Sequence, residues 1–97
     1  MTGVSRSSAG LDVRRKRMLY RCWHRGIKEM DLLLGGYAQA NLETLDDGAL
    51  DRLEHLMDAG DNDLLAWFTG RDPVPAEYDT DIFKAVADFH AANGGVI

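Results

Sequence analysis

The chain has 97 residues, 45% of them hydrophobic, and a net charge of −5. That is enough for one small domain, burying roughly 60–65% of the surface its unfolded chain exposes, and too apolar for a disordered segment. No apolar run approaches the ~20 residues of a membrane span, residues 1–10 lack the apolar core of a secretory signal, and the single cysteine, Cys22, excludes an internal disulfide and fits a reducing compartment.

In chain order, residues 1–10 are small and polar and read as a loose arm ahead of a helical domain over 11–97. The spacing of Leu11, Met18, Leu19 and Cys22 predicts a first helix from about Leu11 to Arg25. Arg14, Arg17, Arg21 and Arg25 recur at steps of three and four, on another part of its surface. Gly26 suits the position just past the helix end, where a left-handed backbone costs glycine least. A second helix is predicted from about Ile27 to Asn41, with Ile27, Met30, Leu34, either Tyr37 or Ala38, and Leu42 inward. Its Gly35-Gly36 pair costs roughly 1 kcal/mol per glycine relative to alanine, so it marks a kink or a close approach. A third helix spans about Asp46 to Asp58, with Leu50, Leu53, Leu56 and Met57 inward and Thr44 or Asp46 as cap. Asp61 is read as the N-cap of a short fourth helix, NDLLAWFT, whose Leu64, Leu65, Trp67 and Phe68 are assigned to the core. The two prolines of RDPVPAEYDT require a loop. A fifth helix runs from about Thr80 to Ala92, with Ile82, Phe83, Val86 and Phe89 inward, and stops at Asn93-Gly94. Strand alternation is absent. The reading is all-α, a single five-helix bundle.

Charge is divided along the chain. Residues 1–29 hold eight bases and two acids; residues 30–97 hold three bases and fourteen acids. The basic first helix has three readings: a solvated face, a docking surface for an acidic protein, or a nucleic-acid contact that the acidic remainder would oppose. His24, His55 and His90 show no metal-ligand spacing. Cys22 lies on the inward stripe and reads as core rather than nucleophile. No glycine-rich phosphate loop is present, and Asp61-Asn62-Asp63 lacks the glycine and closing glutamate of a calcium loop.

Arg25, Gly26 and Glu29 bring a base, a turn and an acid together at one helix–helix corner. As a local exposed ion pair this stabilises by only about 0–1 kcal/mol. The other reading is a surface where a partner's backbone lies against Gly26 and the flanking charges register it.

This stretch, RGIKEMDLLL, resembles the signature of the succinate dehydrogenase assembly factor family, the flavinylation factors: Arg-Gly-x-x-Glu, then an Asp and paired leucines, here Arg25, Gly26, Glu29, Asp31, Leu32 and Leu33. RRKRMLYR resembles that family's basic lead-in, and DNDLLAWFTG with DPVP its Asp-x-Asp-Leu-x-x-Trp segment, glycine and proline loop. The likeness covers about residues 12 to 92. Cys22-Trp23-His24 is bulkier than the family pattern, and Gly35-Gly36 is smaller. The resemblance implies a small helical protein that is not itself an enzyme. It implies transient binding to the flavoprotein subunit of succinate dehydrogenase, or of fumarate reductase, to help FAD join a client histidine covalently in an autocatalytic step. It assigns partner contacts to Arg25, Gly26 and Glu29, with Lys28, Asp31 and Arg21 as neighbours. It further implies no tightly held cofactor, no nucleic acid, no membrane insertion, a monomer, and a bacterial cytoplasm or, in a eukaryote, the mitochondrial matrix. The alternatives are a generic helical adaptor using the basic helix and a small nucleic-acid-binding regulator.

Overall fold

Apolar stripes at helical spacing need partners, and the chain supplies them as five α-helices with no strand among the described residues. The computed structural model describes residues 11–94; the arm assigned to 1–10 lies outside the described residues. The helices are α1 Val13–Trp23, α2 Lys28–Asn41, α3 Asp47–Met57, α4 Asp61–Phe68 and α5 Asp81–Ala92, with 3-10 turns at Leu42–Thr44 and Ala76–Tyr78.

Three helices begin on side chains that accept an otherwise orphaned backbone N–H. Asp12 accepts from Arg15 at 2.8 Å, Asp46 from Ala49 at 2.8 Å, and Thr80 from Phe83 at 3.4 Å. The Arg15 backbone bond also holds the Asp12 carboxyl below its usual range. α2 is the central element and packs against α1, α4 and α5. Its Met30, Leu33, Leu34, Tyr37 and Ala38 are buried against Met18, Leu19 and Cys22 of α1, Leu50, Leu53, Leu56 and Met57 of α3, and Ile82, Phe83 and Val86 of α5 in one core.

Several details differ from the sequence reading. α1 ends at Trp23, and Gly26, with φ +107°, lies beyond the helix cap at His24, where it turns the chain toward α2. The N-cap of α4 is Gly60, because Asp61 is the first helical residue and is used elsewhere. Leu65, Trp67 and Phe68 are half-buried rather than core. Trp67 packs beside Tyr78, with ring centroids 5.0 Å apart, and Phe68 stacks on Phe83 at 4.3 Å. α4 is one short helix at the edge of the bundle, so only Leu64 and Ala66 reach full burial. The proline loop contains the Ala76–Tyr78 turn.

α2 runs unbroken through Gly35-Gly36. A Cβ on Gly35 would lie 2.4 Å from Cδ2 of Trp23, and one on Gly36 3.3 Å from Cε1 of His90. The glycines therefore serve close approach, not a kink. The indole lies against Gly35, and His90 places Nε2 2.6 Å from the Leu33 carbonyl. Trp23 is the bulky departure and Gly35 the small one, and each makes room for the other. Trp23 Nε1 is buried without a partner, a cost of about 1–3 kcal/mol that this packing has to offset.

The sign of one substitution tests this pair. Gly35→Ala should lower stability by about 1–3 kcal/mol in the parent, because the methyl overpacks against the indole. In a Trp23→Ala background the same change should raise stability by roughly 1 kcal/mol, the ordinary helix propensity gain. Denaturant melts of the four proteins measure both; the same sign in both backgrounds would remove the indole from the notch.

Candidate functional site

Arg25 leaves the end of α1 and turns inward. Its side chain is 11% exposed and meets the Asp61 carboxylate, itself 18% exposed, with Nε 2.8 Å from Oδ1. The other guanidinium nitrogens donate to the carbonyls of Met57, at 2.5 Å, and Ala59, at 2.8 Å. Met57 is the last residue of α3, where carbonyls lack helical partners and the helix dipole favours a cation. The backbone N–H of Arg25 donates to Asp31 Oδ1 at 2.5 Å. One residue thus ties together the end of α1, the start of α2, the end of α3 and the start of α4.

This placement separates the residues that the sequence grouped. The Arg25 side chain is committed to partners within the chain. Asp31 is half-buried and serves Arg25. Arg21 is half-exposed and lies 3.3 Å from Asp58. Gly26, Lys28 and Glu29 are exposed, and neither Lys28 nor Glu29 has a side-chain partner among the described residues. Gly26 is needed for its conformation rather than for internal space: its φ is left-handed, and a Cβ there would meet only Asp61 Oδ2, at an ordinary 3.6 Å.

The basic face of α1 is likewise divided. Arg14 reaches Asp51 at 2.6 Å and Glu54 at 2.7 Å, and the Glu54 bond leads in raising its pKa. Arg15 pairs with Asp12 at 2.6 Å and donates to the carbonyls of Leu42 and Leu45. Much of the charge split read from the sequence is neutralised inside the molecule, where α1 meets the acids of α3. Lys16 and Arg17 remain exposed and without an ion pair among the described residues.

No group of three His, Cys, Asp or Glu side chains that could hold a metal occurs among the described residues. His24 stacks on Tyr20 at 3.9 Å, His55 on Tyr78 at 4.6 Å, and His90 is buried. Cys22 is fully buried with Sγ 3.7 Å from Met57 Sδ, and burial pushes its thiol up to about 12. Sequence reasoning missed Asp61 as the partner of Arg25, because a contact spanning 36 positions has no local pattern. It also passed over Tyr20 and His24, whose exposure on α1 depends on which faces α2 and α3 cover.

Known proteins can now be set beside this geometry. A family model described as "Flavinator of succinate dehydrogenase" matches residues 16–90. The chain is 36% identical over 86 residues to the FAD assembly factor SdhE of Acetobacter pasteurianus, covering 88% of this chain and 79% of that protein. It is 37% identical over 73 residues to mitochondrial succinate dehydrogenase assembly factor 2 of Mycosarcoma maydis, and 36% identical over 72 residues to that of Dictyostelium discoideum. Those matches cover 75% and 74% of this chain but only 31% and 51% of the two mitochondrial proteins. The chain belongs to the family of succinate dehydrogenase flavinators.

Two measurements check the site as drawn. Asp61→Asn should cost about 2 kcal/mol, the range for a hydrogen bond to a charged group, whereas Glu29→Ala should melt within about 0.5 kcal/mol of the parent. Equal melting of the two would place the Arg25–Asp61 bond at the surface. A thiol reagent at pH 8 should leave Cys22 unmodified in the native protein and label it at the rate of unfolding; prompt labelling would contradict its burial.

Proposed function

We propose that this protein binds the flavoprotein subunit of succinate dehydrogenase and promotes the covalent attachment of FAD to it. The observation that carries this reading is the corner itself: exposed Gly26, Lys28 and Glu29 held on a turn that Arg25 fixes from beneath. Family membership over residues 16–90 supports it over a generic adaptor or a nucleic-acid-binding regulator. In this reading the protein is an assembly factor and not an enzyme. The bond forms autocatalytically between the client and its own flavin, and FAD remains the client's cofactor. The corner lies against the client near its flavin site, the backbone at Gly26 admits close approach, and Glu29 and Lys28 register the partner. The contribution is geometric, since holding reacting groups in place can supply a large part of a barrier. Relatives occur in a bacterium and in mitochondria, and the protein works wherever the client is assembled. No helix among the described residues is long and apolar enough to cross a membrane.

The test uses the separation within the motif. Glu29→Ala should leave stability unchanged and lower the covalent flavin on the client, read as in-gel flavin fluorescence of the denatured subunit. Gly26→Arg should abolish that signal and also lose roughly 1–3 kcal/mol of stability, because a side chain is strained at this φ. Arg25→Ala should lose stability first and client support in proportion. A Glu29→Ala and Gly26→Arg pair that still supports full flavin attachment would remove the corner from the client contact.

A further inference from the structure

α1 carries a second surface that the corner does not account for. Val13, Arg17 and Tyr20 recur at steps of four and three, so they fall within about 60° of arc at 100° per residue, and the cap residue His24 extends the line by stacking on Tyr20. Val13 is 63% and Tyr20 64% exposed, and Arg17 and His24 are exposed as well. The flanks of this strip are occupied. On one side Arg14 and Arg21 reach over to Asp51, Glu54 and Asp58 of α3 and its cap. On the other, Trp23 lies against Gly35 of α2. The strip is the ridge of α1 that neither neighbour covers.

Its chemistry is distinct from the rest of the helix. No acid occurs between Val13 and Arg25. Arg14, Arg15, Arg21 and Arg25 all have acidic partners within the chain, whereas Arg17 and the adjoining Lys16 have none among the described residues. Uncompensated positive charge therefore coincides with the exposed apolar and aromatic surface. Tyr20 is stacked on His24 with centroids 3.9 Å apart, and His24 Nδ1 lies 2.7 Å from the Tyr20 carbonyl, which fixes the imidazole against the phenol. These two residues line a shallow open pocket with Arg21 and Arg25, so the strip runs directly into the corner.

We infer that the Val13–Arg17–Tyr20–His24 strip is a second contact surface for the client flavoprotein, and that it takes an acidic surface segment of that subunit. This rests on the proposed function and deepens it. Charge complementarity selects an acidic partner. The fixed Tyr20–His24 stack supplies the flat, rigid, amphipathic area typical of an energetic anchor. Continuity with Gly26 lets one partner cover both surfaces. The strip sets affinity and encounter rate, while the corner sets the geometry of the flavin site.

The experiment measures binding of the purified protein to the purified flavoprotein subunit at low and physiological salt, for the parent and for Tyr20→Ala, Arg17→Glu and Arg71→Glu. Arg71 is exposed in the loop after α4, outside the strip, without an ion pair among the described residues, and its reversal changes net charge by the same amount. Tyr20→Ala and Arg17→Glu should each weaken binding by about tenfold with unchanged melting temperature. Arg17→Glu should also flatten the salt dependence of the association rate, and Arg71→Glu should stay within about twofold of the parent. A parent that binds while both strip variants bind equally well overturns the strip and leaves the proposed function standing. An Arg71→Glu effect as large as that of Arg17→Glu reduces the strip to net charge and overturns it too. A parent that does not bind the subunit overturns both. Retention of an oligonucleotide, lost in the strip variants while client binding is kept, assigns the strip to nucleic acid instead.

Discussion

The structure depends on where one guanidinium is seated. Arg25 sits among the Asp61 carboxylate and the carbonyls of Met57 and Ala59. Helix ends leave unsatisfied groups of opposite kinds: carbonyls at the C-terminus, N–H groups at the N-terminus. The turn between α3 and α4 places both kinds within a few residues of one another. A cation with five donors in a planar fork fits the carbonyl side, and Asp61, in the first turn of α4, balances its charge. Asp31 in the first turn of α2 accepts the Arg25 backbone N–H. Lysine could replace the charge but not the three-way donor geometry.

The helices were legible because their signals are local. Apolar periodicity, Asp46 as a cap and the glycines past the ends all act within a few residues, and each helix appears within about two residues of its predicted span; Asp12 and Thr80 cap two more helices that the sequence reading left without a named cap. Misreadings came where distant residues decide. Asp61 looks like a cap until Arg25 claims it from 36 positions away. Gly35-Gly36 stays open between a kink and a close approach until Trp23 and His90 lie across it. Trp67 looks like core because its helix is apolar on most sides, yet a short helix at the edge of a bundle cannot bury its whole circumference. The motif residues could be named from sequence, but not which of them faced inward.

The same distinction applies to charge. A chain with eight bases in its first 29 residues and fourteen acids in the remainder reads as a molecule with a strong dipole. Folding brings α1 beside α3 and converts much of that dipole into short ion pairs. These pairs are mostly exposed, so each stabilises little on its own. Their larger consequence is subtractive: among the described residues they leave few cations without an ion pair, Lys16, Arg17 and Lys28 near α1 and Arg71 in the loop after α4.

A protein that acts by holding another in a productive geometry has a constraint that a simple binder does not. Disorder at its contact surface costs affinity through lost conformational entropy, and it also blurs the geometry it exists to impose. Gly26 works against this, because glycine is the residue least able to fix its own backbone. The Arg25 network supplies the stiffness that Gly26 lacks: the residue before it is tied through its backbone N–H to α2 and through its side chain to α3 and α4. A flexible residue flanked by a rigid anchor permits close approach without permitting motion. An inward-facing arginine and an outward-facing glutamate can therefore belong to one functional motif while doing different physical work. Under the proposed function, loss of either weakens client support, and only the accompanying change in stability distinguishes a lost anchor from a lost contact.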